Sequence, residues 1–374
     1  MAFRLGETVG GYEFLEVLGT SEIDVAYKVR NHLSQRLEAL KVLAHHASAE
    51  DREGVERFLR EIKVHARLLH PNIVTFYTAA ELEGQLVMTT ELVEGITLTQ
   101  RLKQMGPLQW CEVVSHLSQV LLALGYAHEQ GIVHRNVTPD SIILTADATV
   151  KLSGFGLAKS LSSPSLTQAG SVIGALKYIP PEQIRGVGAV DARGDLYSAG
   201  VVLYEALTGQ LPFDSSSQFQ VMLDHVVAEA PPPSVVNPRV PAEFDSIVQK
   251  ALSKDPNQRF QNADQFRIQL EAAGTSLRAK SGAAVSAAVS APRVLPPERP
   301  EESESAPAVE RAHSGARLEV GNRPGLFPLP ESEMVPAFCA TTSVNVLQRN
   351  LVILGISSVA IGMAVAVLLS MAHL

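Results

Sequence analysis

Cysteine is scarce in this sequence, which has two, Cys111 and Cys339, among 374 residues. Two cysteines are too few for a disulfide framework, and these two are not spaced as paired metal ligands. The composition therefore excludes a disulfide-stabilised scaffold. It is typical of a protein that resides in a reduced cytoplasm.

An excess of positive charge is also missing. The chain has 31 lysines and arginines against 39 aspartates and glutamates, which gives a formal net charge of -8. Residues 274–350 hold eight of each sign and no charged residue follows them, so the whole deficit lies in residues 1–273. Nucleic-acid binding depends mainly on basic contacts to phosphates. An acidic domain without a dense basic run therefore predicts no nucleic-acid partner.

The N-terminus lacks the apolar run of a signal peptide, whereas the C-terminal end lacks charge. Residues 351–372 are apolar, and a helix of about 22 residues extends roughly 33 Å, enough to cross a membrane. We predict a transmembrane helix here; the alternative is a buried C-terminal helix. Arg349 precedes this segment and only His373 and Leu374 follow it. The charge bias predicts a single-pass anchor in the cell membrane, with the preceding chain in the cytoplasm.

Composition divides the rest of the chain. Residues 274–350 are rich in alanine, proline, serine and glutamate, which is typical of a disordered linker. Residues 12–273 have the apolar periodicity of a folded domain, and residues 1–11 form a short N-terminal extension. The periodicity predicts three strands and then two amphipathic helices, near residues 12–18, 25–29, 37–43, 50–69 and 108–130.

Two polar segments follow the second helix. They read His134-Arg135-Asn136-Val137-Thr138-Pro139-Asp140-Ser141 and Lys151-Leu152-Ser153-Gly154-Phe155-Gly156. They resemble the catalytic loop and the metal-binding loop of bacterial eukaryotic-like serine/threonine protein kinases. The resemblance covers roughly residues 12–272. It implies an α+β fold with two lobes, a small β-rich N-lobe and a large helical C-lobe, which precedes the linker and the transmembrane helix.

The resemblance also implies structural roles for five residues of the large lobe. His134 is expected to pack under Phe155. Glu182, in the segment Ile179-Pro180-Pro181-Glu182, is expected to form a buried ion pair with Arg259. Asp195 is expected to cap the central helix of the lobe. These scaffold motifs are intact in the sequence.

The chemical motifs of the family are degraded. The catalytic aspartate, the following lysine and the metal-binding asparagine correspond to Asn136, Thr138 and Ser141. The metal-binding aspartate corresponds to Gly154, and the threonine that supports the catalytic residues corresponds to Ala175. A neutral amide cannot act as a base, and no carboxylate remains at these positions to attract a hard cation. The sequence predicts that magnesium is not bound and that no metal site is present.

Nucleotide binding is a separate question, because part of the site does not depend on the lost residues. Lys41 resembles the strand lysine that contacts phosphates, and Glu61 resembles its helix partner. The family's glycine-rich loop retains one of three glycines, and Glu22 and Asp24 would bring negative charge beside a triphosphate. The candidate nucleotide-binding residues are Gly19, Ala26, Ala39, Lys41, Glu61, Thr90, Glu91 and Val93. ATP is a possible ligand, and no cofactor is required.

The segment between residues 159 and 173 resembles the activation segment of the family. Its phosphorylation-site candidates are Ser165, Thr167 and Ser171, and Arg135 resembles the residue that would receive such a phosphate. The sequence therefore predicts a membrane-tethered pseudokinase that acts as a scaffold or regulator, with an active kinase or a phosphoprotein as its protein partner. The alternatives are an active serine/threonine kinase with a non-standard site and a nucleotide sensor.

Overall fold

A computed structural model of the chain describes residues 3–20, 24–43, 51–155, 176–186 and 190–289, with backbone alone for 51–53 and 281–289. The described residues up to 279 belong to one compact unit. Within it, the predicted combination of a β-rich N-lobe and a helical C-lobe is confirmed.

The small lobe is a six-stranded antiparallel sheet with strand order β1-β2-β3-β4-β6-β5. Its strands are β1 Thr8–Val9, β2 Tyr12–Thr20, β3 Asp24–Asn31, β4 Leu37–Leu43, β5 Phe76–Leu82 and β6 Gln85–Glu91. The three strands predicted from alternation correspond to β2, β3 and β4. One face of these strands buries Phe14, Tyr27 and Leu40, as expected for β-prone apolar residues.

Residues 3–11 of the N-terminal extension predicted over residues 1–11 are part of this lobe. Its strand β1 pairs with β2. The ring of Phe3 is buried against Phe14, with 4.6 Å between ring centroids, and the Tyr27 hydroxyl donates to the Phe3 carbonyl at 3.3 Å. The extension therefore completes the core of the sheet. Sequence periodicity could not show this, because a single aromatic residue has no period.

Helix α1, Asp51–His65, packs on the opposite face of the sheet. Its residue Phe58 is buried with Leu43 and Met88, and Ile62 packs against the same group. The helix was predicted over residues 50–69 but ends at His65, and the chain turns through residues 66 and 67. Glu61 follows Phe58 by three residues and so lies on the same face of α1, with its side chain beneath the sheet.

The large lobe is built around two long helices and a small sheet. The strands β7 Gly95–Thr97, β8 Ile142–Thr145 and β9 Val150–Leu152 pair in that order. The helices are α2 Leu98–Met105, α3 Trp110–Glu129, α4 Pro181–Arg185, α5 Ala192–Thr208, α6 Gln218–Val227, α7 Pro233–Val236, α8 Glu243–Ala251 and α9 Ala263–Val289. Helix α5 is almost entirely buried, with α3 and α8 against it.

The start of helix α5 differs from the prediction. Its N-cap is Asp191, whose carboxylate accepts a hydrogen bond from the Arg193 amide at 2.8 Å. Asp195 lies inside the first turn, so its carboxylate is not the cap. It is buried and accepts hydrogen bonds from the backbone amides of His134 and Arg135 instead.

The predicted boundary at residue 274 lies within helix α9, Ala263–Val289. Helix α9 continues through it to Val289, so the linker predicted over 274–350 begins within a helix. Its first turns bury Phe266 and Leu270, and the alanine-rich sequence that follows favours continuation of the helix. Among the described residues no helix has the length and apolar character needed to span a bilayer. The segment predicted to do so, 351–372, lies outside the described residues.

Candidate functional site

The catalytic loop is held by one buried carboxylate. Asp195 accepts hydrogen bonds from the amides of His134, at 2.8 Å, and Arg135, at 2.6 Å. The ring nitrogen Nε2 of His128 lies 2.7 Å from the same carboxylate. Arg135 has a φ of 63°, a conformation uncommon outside glycine, so the carboxylate stabilises a constrained backbone. Asp195 therefore fixes the position of the loop relative to helix α5.

Phe155 connects this loop to the small lobe. The rings of His134 and Phe155 meet edge to face with 4.5 Å between centroids, and His134 Nε2 lies 2.8 Å from the Ser153 carbonyl. Burial lowers the pKa of His134, so its neutral ring donates to that carbonyl. The predicted packing of His134 under Phe155 is confirmed.

The sequence interpretation missed His65 on the other side of Phe155. Its ring centroid is 6.3 Å from that of Phe155, and its Nε2 lies 2.6 Å from the Val74 carbonyl. Burial lowers the pKa of His65 to about 4. Its position four residues after Glu61 places both on the sheet-facing side of α1, and this spacing was the available signal.

Ser141 is the last residue of a short 3-10 turn, Pro139–Ser141, and Thr138 is the N-cap residue that precedes it. Ser141 Oγ donates to the Thr138 carbonyl at 2.8 Å and accepts from the Thr138 amide at 3.1 Å. Ser153 adds two hydrogen bonds to the Ser141 carbonyl, from its amide at 2.9 Å and its hydroxyl at 3.1 Å. Because Ser141 Oγ donates its proton to its own loop, it serves to close the turn.

The remaining degenerate positions lie beside this turn. Asn136 is half-buried, and its backbone N–H donates a hydrogen bond to His134 Nδ1 at 3.3 Å. Asp140 is exposed. Gly154 has a φ of 84°, in the left-handed region that glycine adopts without strain. In the part of the chain that the structure describes, no group of three or more His, Cys, Asp or Glu residues is placed to hold a metal ion.

The predicted pair of Lys41 and Glu61 is confirmed, with 2.7 Å between Lys41 Nζ and Glu61 Oε1. Both side chains are 3% exposed. Burial raises the pKa of Glu61, and the neighbouring ammonium opposes that rise. Asp24 Oδ2 lies 3.8 Å from the same ammonium, so a second carboxylate faces Lys41.

The other predicted nucleotide-binding residues divide into two groups. Ala26 and Ala39 are buried with Leu18, and Gly19 pairs with Ala26 across β2 and β3. Ala39 pairs with Thr90 across β4 and β6. These residues form an apolar surface that continues to Lys41.

The second group of predicted nucleotide-binding residues, Glu91 and Val93, has other side-chain partners. Val93 is buried with Val74 and Ile143. The Glu91 carboxylate accepts from Lys151 Nζ at 2.7 Å and from the Thr75 amide at 2.7 Å. The Glu91 side chain therefore binds Lys151 of β9, and its contribution to a ligand would come from the backbone.

The buried ion pair of the large lobe is confirmed. Arg259 Nη1 and Nη2 donate to Glu182 Oε1 and Oε2, each at 2.8 Å, in a bidentate arrangement. Arg259 Nε donates to the Ser253 carbonyl at 2.7 Å. The pair joins α4 to the 3-10 turn Pro256–Gln258 that precedes α9.

The phosphorylation-site candidates Ser165, Thr167 and Ser171 lie outside the described residues, as does Ala175. Their approach to Arg135 therefore stays a prediction. Arg135 itself is half-buried in the catalytic loop, with its backbone bound by Asp195.

A family model described as "Protein kinase domain" matches residues 12–268. The chain belongs to the bacterial eukaryotic-like serine/threonine protein kinase family. The crystal structure of the Mycobacterium tuberculosis PknI kinase domain is 30% identical, with a TM-score of 0.57 and coverage of 73% of this chain and 100% of that chain.

Curated relatives of this kinase-family chain are longer proteins. Serine/threonine-protein kinase PrkC of Bacillus subtilis is 35% identical over 270 residues, which are 72% of this chain and 41% of the relative. Serine/threonine-protein kinase PknB of Mycobacterium tuberculosis is 39% identical over 268 residues, 69% of this chain and 42% of the relative. The match thus spans about two-fifths of each relative. Membership is consistent with an ATP ligand and gives no support to the expectation that magnesium is not bound, which stays a prediction.

Proposed function

We propose that this chain is a catalytically inactive member of the family that acts as a scaffold or regulator of an active kinase or a phosphoprotein. The observation that carries the proposal is the catalytic loop. Its fold is maintained by Asp195, while Asn136, Thr138, Ser141 and Gly154 supply no base, no cation and no carboxylate. The loop is preserved as structure without the groups that transfer phosphate.

The expected loss of phosphoryl-transfer rate supports inactivity. Phosphoryl transfer relies on positioning and on neutralisation of charge, and a missing general base alone costs roughly 10²- to 10⁴-fold in rate. The loss of metal ligands removes further transition-state stabilisation. Family turnover numbers of about 1 to 100 per second would fall to the background of a sensitive assay.

The test is transfer of labelled phosphate from ATP by the full chain, with magnesium or manganese and a general basic-protein substrate. The control variant is Lys41→Ala, which removes the cation of the buried pair. We expect equal background incorporation from both proteins. Incorporation by the wild type that disappears in Lys41→Ala would refute the proposal. A Gly154→Asp, Asn136→Asp double variant then shows whether restored carboxylates increase transfer.

The alternative function is an active serine/threonine kinase with a non-standard site. The intact pair of Lys41 and Glu61 favours it, and so do the names of the relatives, which are called serine/threonine-protein kinases. Within the catalytic loop, residues 134–141, the one carboxylate is that of Asp140, which is exposed. In an active enzyme, Asp140→Asn would abolish the transfer that Lys41→Ala also abolishes.

We further propose that residues 351–372 tether the domain to the cell membrane. Their apolar composition and the basic residue before them support this placement. Cell fractionation tests it: the full chain should sediment with membranes and resist extraction at high salt, and a chain that ends at Asn350 should not. Equal distribution of both proteins would contradict the tether.

A further inference from the structure

The sheet of the small lobe has two edges that differ in length. One edge is β1, Thr8–Val9, which has two residues. The other is β5, Phe76–Leu82, which has seven residues and, among the described strands, pairs with β6 alone. Its residues 78–81 are exposed. An exposed strand at the edge of a sheet is a template for pairing with a further strand.

The turn between β5 and β6 determines which backbone groups of β5 point outwards. Glu83 and Gly84 form a two-residue turn with φ values of 49° and 76°, in the region that a type I′ hairpin requires. The residues that flank such a turn form a hydrogen-bonded pair, and the two kinds of pair alternate along an antiparallel ladder. Ala79 and Glu81 are therefore in non-hydrogen-bonded pairs with β6. Their N–H and C=O groups point away from β6.

These outward groups have few partners within the chain. Among the residues that the structure describes, none forms a backbone hydrogen bond with Glu81 on this side. The Ala79 carbonyl accepts one long hydrogen bond, at 3.5 Å, from the hydroxyl of the adjacent Thr78. A row of free N–H and C=O groups at strand spacing is complementary to the backbone of another extended chain.

Strand β5 also lacks the features that usually protect an edge. It contains no lysine, arginine or proline. Its one bulge lies at its start, between Phe76 and Thr78, so the ladder from Thr78 to Leu82 is regular. Ala79 and Ala80 have small side chains, which leave room for a further strand to approach.

The charge at this edge is negative. Glu81 and Glu83 are both exposed, at the end of β5 that leads into the turn. Arg36 stacks on Tyr77 near the start of the strand, and its guanidinium donates to the buried carboxylate of Glu38 at 2.8 Å. The two glutamates therefore favour a strand with basic side chains.

We propose that β5 receives an extended, basic segment of a partner protein as an additional strand of the sheet. The backbone of the segment pairs with Ala79 and Glu81, and its lysine or arginine side chains approach Glu81 and Glu83. This inference deepens the proposed function, because it gives a scaffold a surface that binds its partner. It rests on the proposed function only for the role of that partner.

Hydrogen exchange with residue-resolved mass spectrometry tests the added strand in the full chain in detergent. The probe is a capped heptapeptide that alternates lysine with valine. We expect the amides of Ala79 and Glu81 to exchange at least about tenfold more slowly at saturating probe, whereas the Ala80 amide, which faces β6, is protected throughout. Binding that leaves Ala79 and Glu81 unprotected overturns the proposal. Absence of binding below about 1 mM overturns it as well.

Two modified probes separate backbone pairing from charge without altering the protein. Methylation of the probe's alternate backbone nitrogens removes the N–H groups that would pair with β5. A probe with glutamate in place of lysine reverses the charge. Each should bind at least about tenfold more weakly than the first probe. A methylated probe that binds equally well would refute strand addition.

A substitution in β5 tests the same contact from the other side. Ala79→Pro removes one outward N–H and leaves the hydrogen bonds to β6 in place, as proline on an edge strand does. It should weaken probe binding by at least about fivefold. The matched control Ala79→Thr retains the N–H and should change affinity by less than about twofold. Thermal unfolding verifies that both variants are folded, and equal affinities of the two variants refute the inference.

Sedimentation equilibrium of the full chain without probe examines a second copy as the occupant. We expect no association that Ala79→Pro abolishes. A dimer that this variant dissociates would assign the edge to self-association and overturn the proposal.

These outcomes do not depend on phosphate transfer. A chain that adds the strand and also transfers phosphate refutes the proposed inactivity and leaves this inference standing. An inactive chain that does not protect Ala79 and Glu81 does the reverse.

Discussion

The ion pair between Glu182 and Arg259 is the contact whose loss we expect to destabilise the domain most clearly. The Arg259 side chain is 0% exposed and is bound by both carboxylate oxygens of Glu182 at 2.8 Å. Arginine stays charged at every accessible pH. Glu182→Ala therefore leaves a buried charge without its counter-charge, which typically costs about 3 to 5 kcal/mol. Because Glu182 itself is 16% exposed, we expect the lower end of that range.

Urea-induced unfolding followed by circular dichroism measures this loss. Glu182→Gln retains a hydrogen-bond acceptor and should fall between the wild type and Glu182→Ala. The matched control is Glu271→Ala, which breaks an exposed pair with Arg267 at 3.0 Å on α9 and should cost less than about 1 kcal/mol. Equal unfolding midpoints for Glu182→Ala and Glu271→Ala would refute the argument that burial makes the first pair costly to break.

Two further predictions concern stability. Burial lowers the pKa of His65 from 6.5 to about 4 and that of His225 to about 3, so both rings are neutral in the fold. As pH falls, these histidines bind protons in the unfolded chain before they do so in the folded chain. Their contribution to the free energy of unfolding is therefore complete above about pH 6.5 and is lost progressively towards pH 4. An unfolding midpoint that is constant from pH 7 to pH 5 would contradict this. A Cβ at Gly200 would lie 2.7 Å from the Ala251 Cβ, whereas one at Gly125 would make an ordinary contact at 3.5 Å. Both glycines are in helices, so Gly125→Ala should raise the free energy of unfolding by up to about 1 kcal/mol. Gly200→Ala should lower it by about 1 to 3 kcal/mol because the two Cβ atoms would overlap. A higher thermal unfolding midpoint for Gly200→Ala than for Gly125→Ala would show that α5 and α8 are not packed this closely.

Much of the fold could be predicted because its signals are local. Strand β4 was predicted at its observed bounds, and helix α3 was predicted within two residues at its start and one at its end. Alternation and helical periodicity are visible within a few residues of sequence. The pairs Lys41–Glu61 and Glu182–Arg259 were also predicted, although here the family motifs supplied the partner and spacing alone did not.

The missed features involve partners that are distant in sequence. Phe3 reaches the core of the sheet through Tyr27 and Phe14, and no periodic pattern marks a single aromatic residue. His65 lies against Phe155 of the other lobe. The N-cap of α5 was misassigned to Asp195, because a carboxylate near a helix start fits both a cap and a loop anchor until the loop is in place.

The sequence by itself determined which chemical groups occupy the catalytic positions, and therefore that Asn136 offers no base and Gly154 no carboxylate. Side-chain identity decides what a group can donate, accept or neutralise, and this requires no coordinates. Only the tertiary structure decided what the remaining groups do. Ser141 closes its own turn, and Asp24 lies beside Lys41, because sheet register and loop packing choose the partner of each group.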